Sequence, residues 1–310
     1  MSYSIARGRA RAGSQAGFSL AELAVSAGIT SIVSGIMVSG MLRLTDTHST
    51  IANRSDMHAG VRGATELVQH EVSQAGRLVL PGPVSLSAAV AIPGPQTVSL
   101  NSAADMFVGE QLVIDTGDNE ETVALTNVDT ANNQVTAVFN NIHLVNAPLT
   151  VRGGFGTGIV PTTMANGSTA TVLKLYGDIH GNGHLQYVEY TCDTVGGNLY
   201  RNVVSFTAAS KPVVTSAHVL LTNVWPNPGS APCFTYQQKT IGGNTYVIDV
   251  AITLTLRTQF VDPVTKQFQT ETKALLNVSP RNVFDAWQLA TLGVTNRVQP
   301  MPASVQALLP

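Results

Sequence analysis

Residues 18–42 carry apolar or small side chains broken by a single charge, Glu22. As a helix, about 25 residues extend roughly 37 Å, more than the roughly 30 Å of a bilayer's hydrocarbon core. Arg43 closes the run, and the pattern then changes without interruption. Leu44, Thr47, Ile51, Arg54, His58, Val61, Thr65, Val68, Val72 and Ala75 recur at three- and four-residue steps. Asp46, Asp56, Arg62, Glu66, Gln69 and Glu71 fill the positions between them, an amphipathic continuation of the same helix. Gly76 suits a helix cap and Pro81 blocks any extension, so one helix of roughly 55–60 residues is expected within 18–80. Gly28, Gly35 and Gly40 in its apolar half either permit close helix packing or are simply tolerated there.

Beyond the helix the hydrophobic period drops to two. Residues 81–95 are punctuated by Pro81, Pro83, Pro93 and Pro95 and read as a linker. From 96 to 152, β-prone runs at 111–115, 121–125 and 134–139 are separated by turn signals at 116–119 and 129–133, which predicts a small all-β insert. The body, 153–285, offers strands at 171–176, 185–191, 198–204, 246–258 and 267–278. Within it, residues 247–256 alternate as a half-buried antiparallel strand does. A proline-bearing tail, 286–310, is expected to be partly disordered. The expected class is α+β: a long N-terminal helix, membrane-spanning in its first half, packed on an antiparallel β body that carries the insert.

Charge narrows the function. Only 12% of the 310 residues are charged and the net charge is −2, which excludes a disordered acidic chain and gives no basis for direct nucleic-acid binding. The two cysteines, Cys192 and Cys233, match no metal or redox spacing. Residues 153–158 do not complete a dinucleotide-binding glycine motif, and neither a P-loop nor a nucleophile elbow occurs. No enzyme activity and no cofactor is expected. The one suggestive loop is 178–184, where Asp178, His180 and His184 are weak metal candidates; a glycine-rich hairpin turn is the alternative.

The first 17 residues contain Arg7, Arg9 and Arg11 and no acid, so the leader is expected to stay cytoplasmic while the remainder is exported. A cleaved secretory signal has a shorter apolar core, no internal carboxylate and a small-residue cleavage site after it. A plain anchor leaves Glu22 unexplained, at a cost on the order of 3 kcal/mol at mid-membrane. An exported body would let Cys192 and Cys233 pair in an oxidising compartment; two unpaired thiols are the alternative.

The segment Gly17-Phe18-Ser19-Leu20-Ala21-Glu22 resembles the processing site of type IV prepilins and pseudopilins. The stretches 53–56 and 66–76, together with 173–178, 185–190, 199–201 and 281–282, are similar to parts of PilW-type minor pilins. The resemblance implies a cut after Gly17 by a prepilin peptidase and N-methylation of Phe18. It further implies that Glu22 meets the Phe18 amine of a neighbouring subunit during assembly. The implied partners are that peptidase, other pilin or pseudopilin subunits, an inner-membrane assembly platform and membrane lipid. The implied location is the inner membrane with the body in the periplasm, then a pilus or pseudopilus. The rival reading is a membrane-anchored extracytoplasmic binding protein whose β domain recognises a surface ligand.

Overall fold

The computed structural model describes residues 17 and 19–310; the leader 1–16 and Phe18 lie outside it. Helix α1 runs over Leu20–Gln74 without a break, because no proline interrupts these 55 residues and both ends are capped. Its C-terminus stops where Gly76 adopts φ +78° and its N–H turns to the Tyr176 carbonyl, 2.9 Å away. A Cβ at Gly76 would stand 2.8 Å from the Phe155 carbonyl oxygen, so only glycine lets the chain leave the helix here.

The insert is larger than expected. Residues read as linker supply its first strands, β1 (Val84–Ser85) and the start of β2 (Gly94–Ser99). Then follow β3 (Gln111–Ile114), β4 (Glu121–Ala124), β5 (Asn127–Asp129), β6 (Gln134–Phe139) and β7 (Pro148–Val151). They form two antiparallel sheets, β1-β7-β3-β4 and β2-β6-β5. Inward side chains of both share one core, including Val84, Leu86, Val98, Leu112, Ile114, Val135, Phe139 and Leu149. Pro81 and Pro83 lie between α1 and β1, Pro93 immediately precedes β2, and Pro95 stands within β2 opposite Val138, so the prolines punctuate packed strands rather than an open connection.

The body begins with β8 (Gly154–Phe155) and builds two sheets. One joins β9 (Val172–Gly177), β10 (Gln186–Asp193), β11 (Asn198–Ser205) and β12 (Val219–Thr222). The other joins β13 (Val224–Trp225), β14 (Phe234–Ile241), β15 (Asn244–Arg257) and β16 (Thr270–Val278). Met57, Val61, Ala64, Val68 and Val72 of α1 seat in a core with Leu173, Val188, Tyr190, Val250, Ile252 and Leu254. The amphipathic stripe is therefore fixed to the sheets only in its later part: Val61, Thr65, Val68, Val72 and Ala75 are buried, whereas Leu44, Thr47, Ile51, Arg54 and His58 stay exposed because the sheets do not cover them.

The tail differs from its expectation. Helix α2 (Arg281–Thr291), strand β17 (Val298–Gln299) and helix α3 (Ala303–Leu308) all pack on the body. Strand β17 pairs in parallel with β8. Val305, Leu308 and Leu309 sit at three- and one-residue steps and are buried beside Phe155, Tyr187 and Phe206. The prolines flank these elements instead of dissolving them, Pro302 standing at the start of α3.

Candidate functional site

The exceptional surface is the first half of α1. Ser19, extended at φ −73°, caps it: the Glu22 N–H donates to Ser19 Oγ at 3.1 Å, and the Ser19 N–H donates to Glu22 Oε2 at 2.9 Å. This reciprocal box satisfies two of the free backbone donors at the helix start, where the helix dipole also favours an acid. Glu22 is exposed, and so is every described residue from Ser19 to Thr45.

Eleven large apolar side chains between residues 20 and 42 stand open, from Leu20 at 87% exposure to Val33 at 45%. At about 1.5 kcal/mol each, covering them is worth on the order of 15 kcal/mol, comparable to the whole stability of an ordinary domain. The stretch is long and apolar enough to cross a membrane, and none of it is buried among the described residues. A Cβ at Gly28, Gly35 or Gly40 would meet nothing within 4 Å among the described residues, so these glycines have no packing partner there. Gly17 is exposed beside the cap, whereas Phe18, the expected new N-terminus, lies outside the described residues.

Where the helix meets the body, Glu71 is buried and holds it. Its carboxylate accepts hydrogen bonds from the Tyr190 hydroxyl and from Arg201, whose Nε lies 3.2 Å away and whose Nη2 completes the fork. Burial beside this carboxylate pushes the Tyr190 hydroxyl well above its ordinary pKa, so it stays a donor. Nothing in the helical pattern distinguished Glu71 from the solvated acids around it.

Cys192 and Cys233 form a disulfide with Cα atoms 6.5 Å apart. It ties β10 in one sheet to the residue preceding β14 in the other, inside the body core.

The metal candidates are not brought together. Asp178 is fully buried; its Oδ1 accepts from the Asn182 N–H at 2.9 Å and its Oδ2 lies 3.6 Å from Arg77 Nε. His180 is exposed, and His184 turns to the insert, its Nδ1 2.6 Å from Asp105 Oδ2. Among the described residues no three acidic, histidine or cysteine side chains are arranged to hold a metal ion. The loop is a clasp between helix end, body and insert.

Two acidic features of the insert escape the sequence pattern. His143 is buried with Nδ1 3.2 Å from Asp115 Oδ2 and Nε2 2.7 Å from Glu121 Oε1, so one ring bridges both carboxylates. The Thr116 N–H and the His143 contact hold Asp115 below the usual carboxylate range; Glu121, despite partial desolvation, is lowered by His143 and the Asn140 and Asn141 N–H groups. Glu110, fully buried, is the opposite case, its carboxyl pushed up to about 8 by desolvation.

No family model, curated protein or solved structure matches this chain.

Proposed function

We propose that this chain is a structural subunit of a type IV pilus or secretion-type filament, a PilW-like minor pilin or pseudopilin. The observation that carries the reading is α1: one continuous helix whose second half is locked to a β body and whose first half is apolar, capped and wholly uncovered. A surface worth on the order of 15 kcal/mol needs lipid or other apolar helices around it. A helix of this composition is stable in either, so it can leave the bilayer for a bundle of like helices with little change in free energy. The membrane segment alone would serve any anchored protein. The one acid at its start, next to Gly17 in the prepilin-like segment, adds a reason for specificity, because a carboxylate moved into an apolar bundle requires a cation. In this reading that cation is the Phe18 amine of a neighbouring subunit, created when a prepilin peptidase cuts after Gly17.

The test is the intact mass and N-terminal sequence of membrane-extracted protein, with and without a co-expressed prepilin peptidase. A methylated N-terminus at Phe18 is expected only with the peptidase. An intact Met1 despite an active peptidase overturns the filament reading and favours an anchored binding protein.

A further inference from the structure

We propose that the β15–β16 hairpin, residues 258–269, docks its tip into the headgroup layer of the same bilayer that α1 enters. The proposal rests on reading residues 18–42 as the membrane segment.

The hairpin hangs along α1 toward its apolar half. The Thr258 N–H donates to the Gln269 carbonyl at 2.8 Å, and the Asp262 N–H to the Gln267 carbonyl at 3.0 Å, so the two arms stay paired down to the tip. Asp262 Oδ1 accepts from the Val264 and Thr265 N–H groups at 2.8 Å each and shapes the turn. The side chain of Asn53 on α1 grips the outgoing arm: its Nδ2 donates to the Phe260 carbonyl at 2.7 Å and its Oδ1 accepts from the Phe260 N–H at 3.4 Å. Arg54 Nε donates to Gln269 on the returning arm. At the base, the Arg257 guanidinium lies 4.3 Å from the Trp225 ring and 4.9 Å from the Phe268 ring.

The tip exposes apolar side chains beside polar Thr265, Lys266 and Gln267: Phe260 and Val264 are 66% exposed and Val261 43%, with Phe268 nearer the base at 45%. On the same face of α1 as Asn53, Thr50 and Asp46 are half-buried, and the Asp262 carboxylate lies beside Thr50. Asp46 is only about 6 Å along the axis beyond Leu42, where the apolar run ends. The headgroup layer is roughly 5–8 Å thick on each side. The tip thus reaches the layer in which aromatic, aliphatic and basic side chains are favoured together, with Lys266 in the turn, Arg54 against the returning arm, Arg43 at the end of the apolar run and the Asp262 carboxylate bonded within the turn. A modest tilt of α1 toward the hairpin, about 20° as is common, seats Phe260 deeper. Docked in this way, the head is held at a fixed height and rotation before α1 is withdrawn.

The test uses full chain with its disulfide intact, reconstituted in vesicles of phosphatidylcholine and phosphatidylglycerol. Single variants Val264→Cys, Ile36→Cys and Val195→Cys, all at exposed positions, carry an environment-sensitive fluorophore. We expect the label at 264 to show blue-shifted emission, loss of quenching by aqueous iodide, and quenching by headgroup-attached spin label. The label at 36 should be quenched by acyl-chain spin label, and that at 195 by iodide alone. A label at 264 as iodide-accessible as that at 195, with 36 in lipid, overturns the hairpin proposal and leaves the membrane segment standing. Protection at 264 without any quenching from lipid labels also overturns it, since a second copy of the chain then covers the tip. A label at 36 outside lipid overturns the membrane reading itself.

Discussion

Replacing Glu110 by glutamine separates ionisation from packing in the insert. The Glu110 carboxyl is fully buried; Oε2 accepts from the Phe107 N–H at 3.2 Å, and Oε1 has no partner among the described residues. Desolvation pushes its pKa up from 4.5 to about 8, with the nearby Asp105 charge adding to the rise. Between those two values the folded chain binds a proton that the unfolded chain has released. The contribution of this group is therefore fully present below about pH 4.5 and lost as pH rises through about 8. The difference sets a ceiling of about 5 kcal/mol, and local opening of the 105–110 turn toward water lowers the loss to about 2–3 kcal/mol. Glutamine keeps the acceptor for Phe107 and cannot ionise. Thermal unfolding between pH 5 and pH 9 should show the parent losing several degrees as the medium becomes alkaline, and the Glu110→Gln chain losing far less, so that the variant is the more stable at pH 9. Parallel melting curves for the two chains across that range would refute the assignment of a neutral, buried carboxyl.

Three further perturbations address the clamps. Glu71→Gln should cost about 2–4 kcal/mol in chemical denaturation, because Arg201 is left facing a neutral amide; Glu71→Gln with Arg201→Met should cost less than the two single changes added together. Removing the disulfide in a Cys192→Ser/Cys233→Ser chain should cost about 4 kcal/mol for a closed loop with a sequence separation of 41, read from non-reducing melts against the parent. His143→Gln should destabilise the insert by about 2–3 kcal/mol at neutral pH, where it leaves Asp115 and Glu121 charged against each other. Both carboxyls have lowered pKa values, so their stabilisation is present at neutral pH and lost as pH falls through that lowered range. The gap between variant and parent should close there.

What the chain reveals before folding depends on whether a signal is periodic or positional. The α1 pattern is periodic over many turns, so its extent and its change of character near Arg43 are readable, and the helix ends within a few residues of Gly76. Strands with strict alternation, such as β15, are equally plain. Strand β14 is not: Phe234 and Tyr236 are followed by Gln237, Gln238 and Lys239, and only its pairing with β15 marks it as a strand. His143 is a lone histidine in the sequence, with partners 22 and 28 residues upstream that the β3–β4 register delivers. The prolines of 81–95 and 286–310 suggest bends, yet Pro95 lies inside β2, and a bend in a packed segment looks the same as one in a loose segment. The cap at Ser19 and Glu22 lies between these cases, since its three-residue spacing is visible but its use is not.

That cap makes the role of Glu22 separable into charge and geometry. In the isolated chain its carboxylate is engaged with the Ser19 N–H at the positive end of α1, which lowers the cost of holding an acid at the start of an apolar helix. The same oxygens would have to turn to a neighbour's Phe18 amine in the proposed filament, and a rotation of the Glu22 side chain suffices for the exchange. Glu22→Gln keeps a side-chain acceptor for the Ser19 N–H and removes the charge, whereas Glu22→Ala removes both. The Ser19 hydroxyl can still accept from the residue 22 N–H in either variant. A cap lost alone costs about 1 kcal/mol, too little to stop a helix with on the order of 15 kcal/mol of apolar surface from entering a bundle. An unpaired neighbouring cation inside that bundle costs several times more. Peptidase processing should therefore be retained in both variants, and incorporation into filaments, measured by quantitative blotting of sheared material, should fall strongly and to a similar degree in both. Normal incorporation of Glu22→Gln would show that the carboxylate serves the cap alone, and the proposed charge pairing between subunits would fail with it.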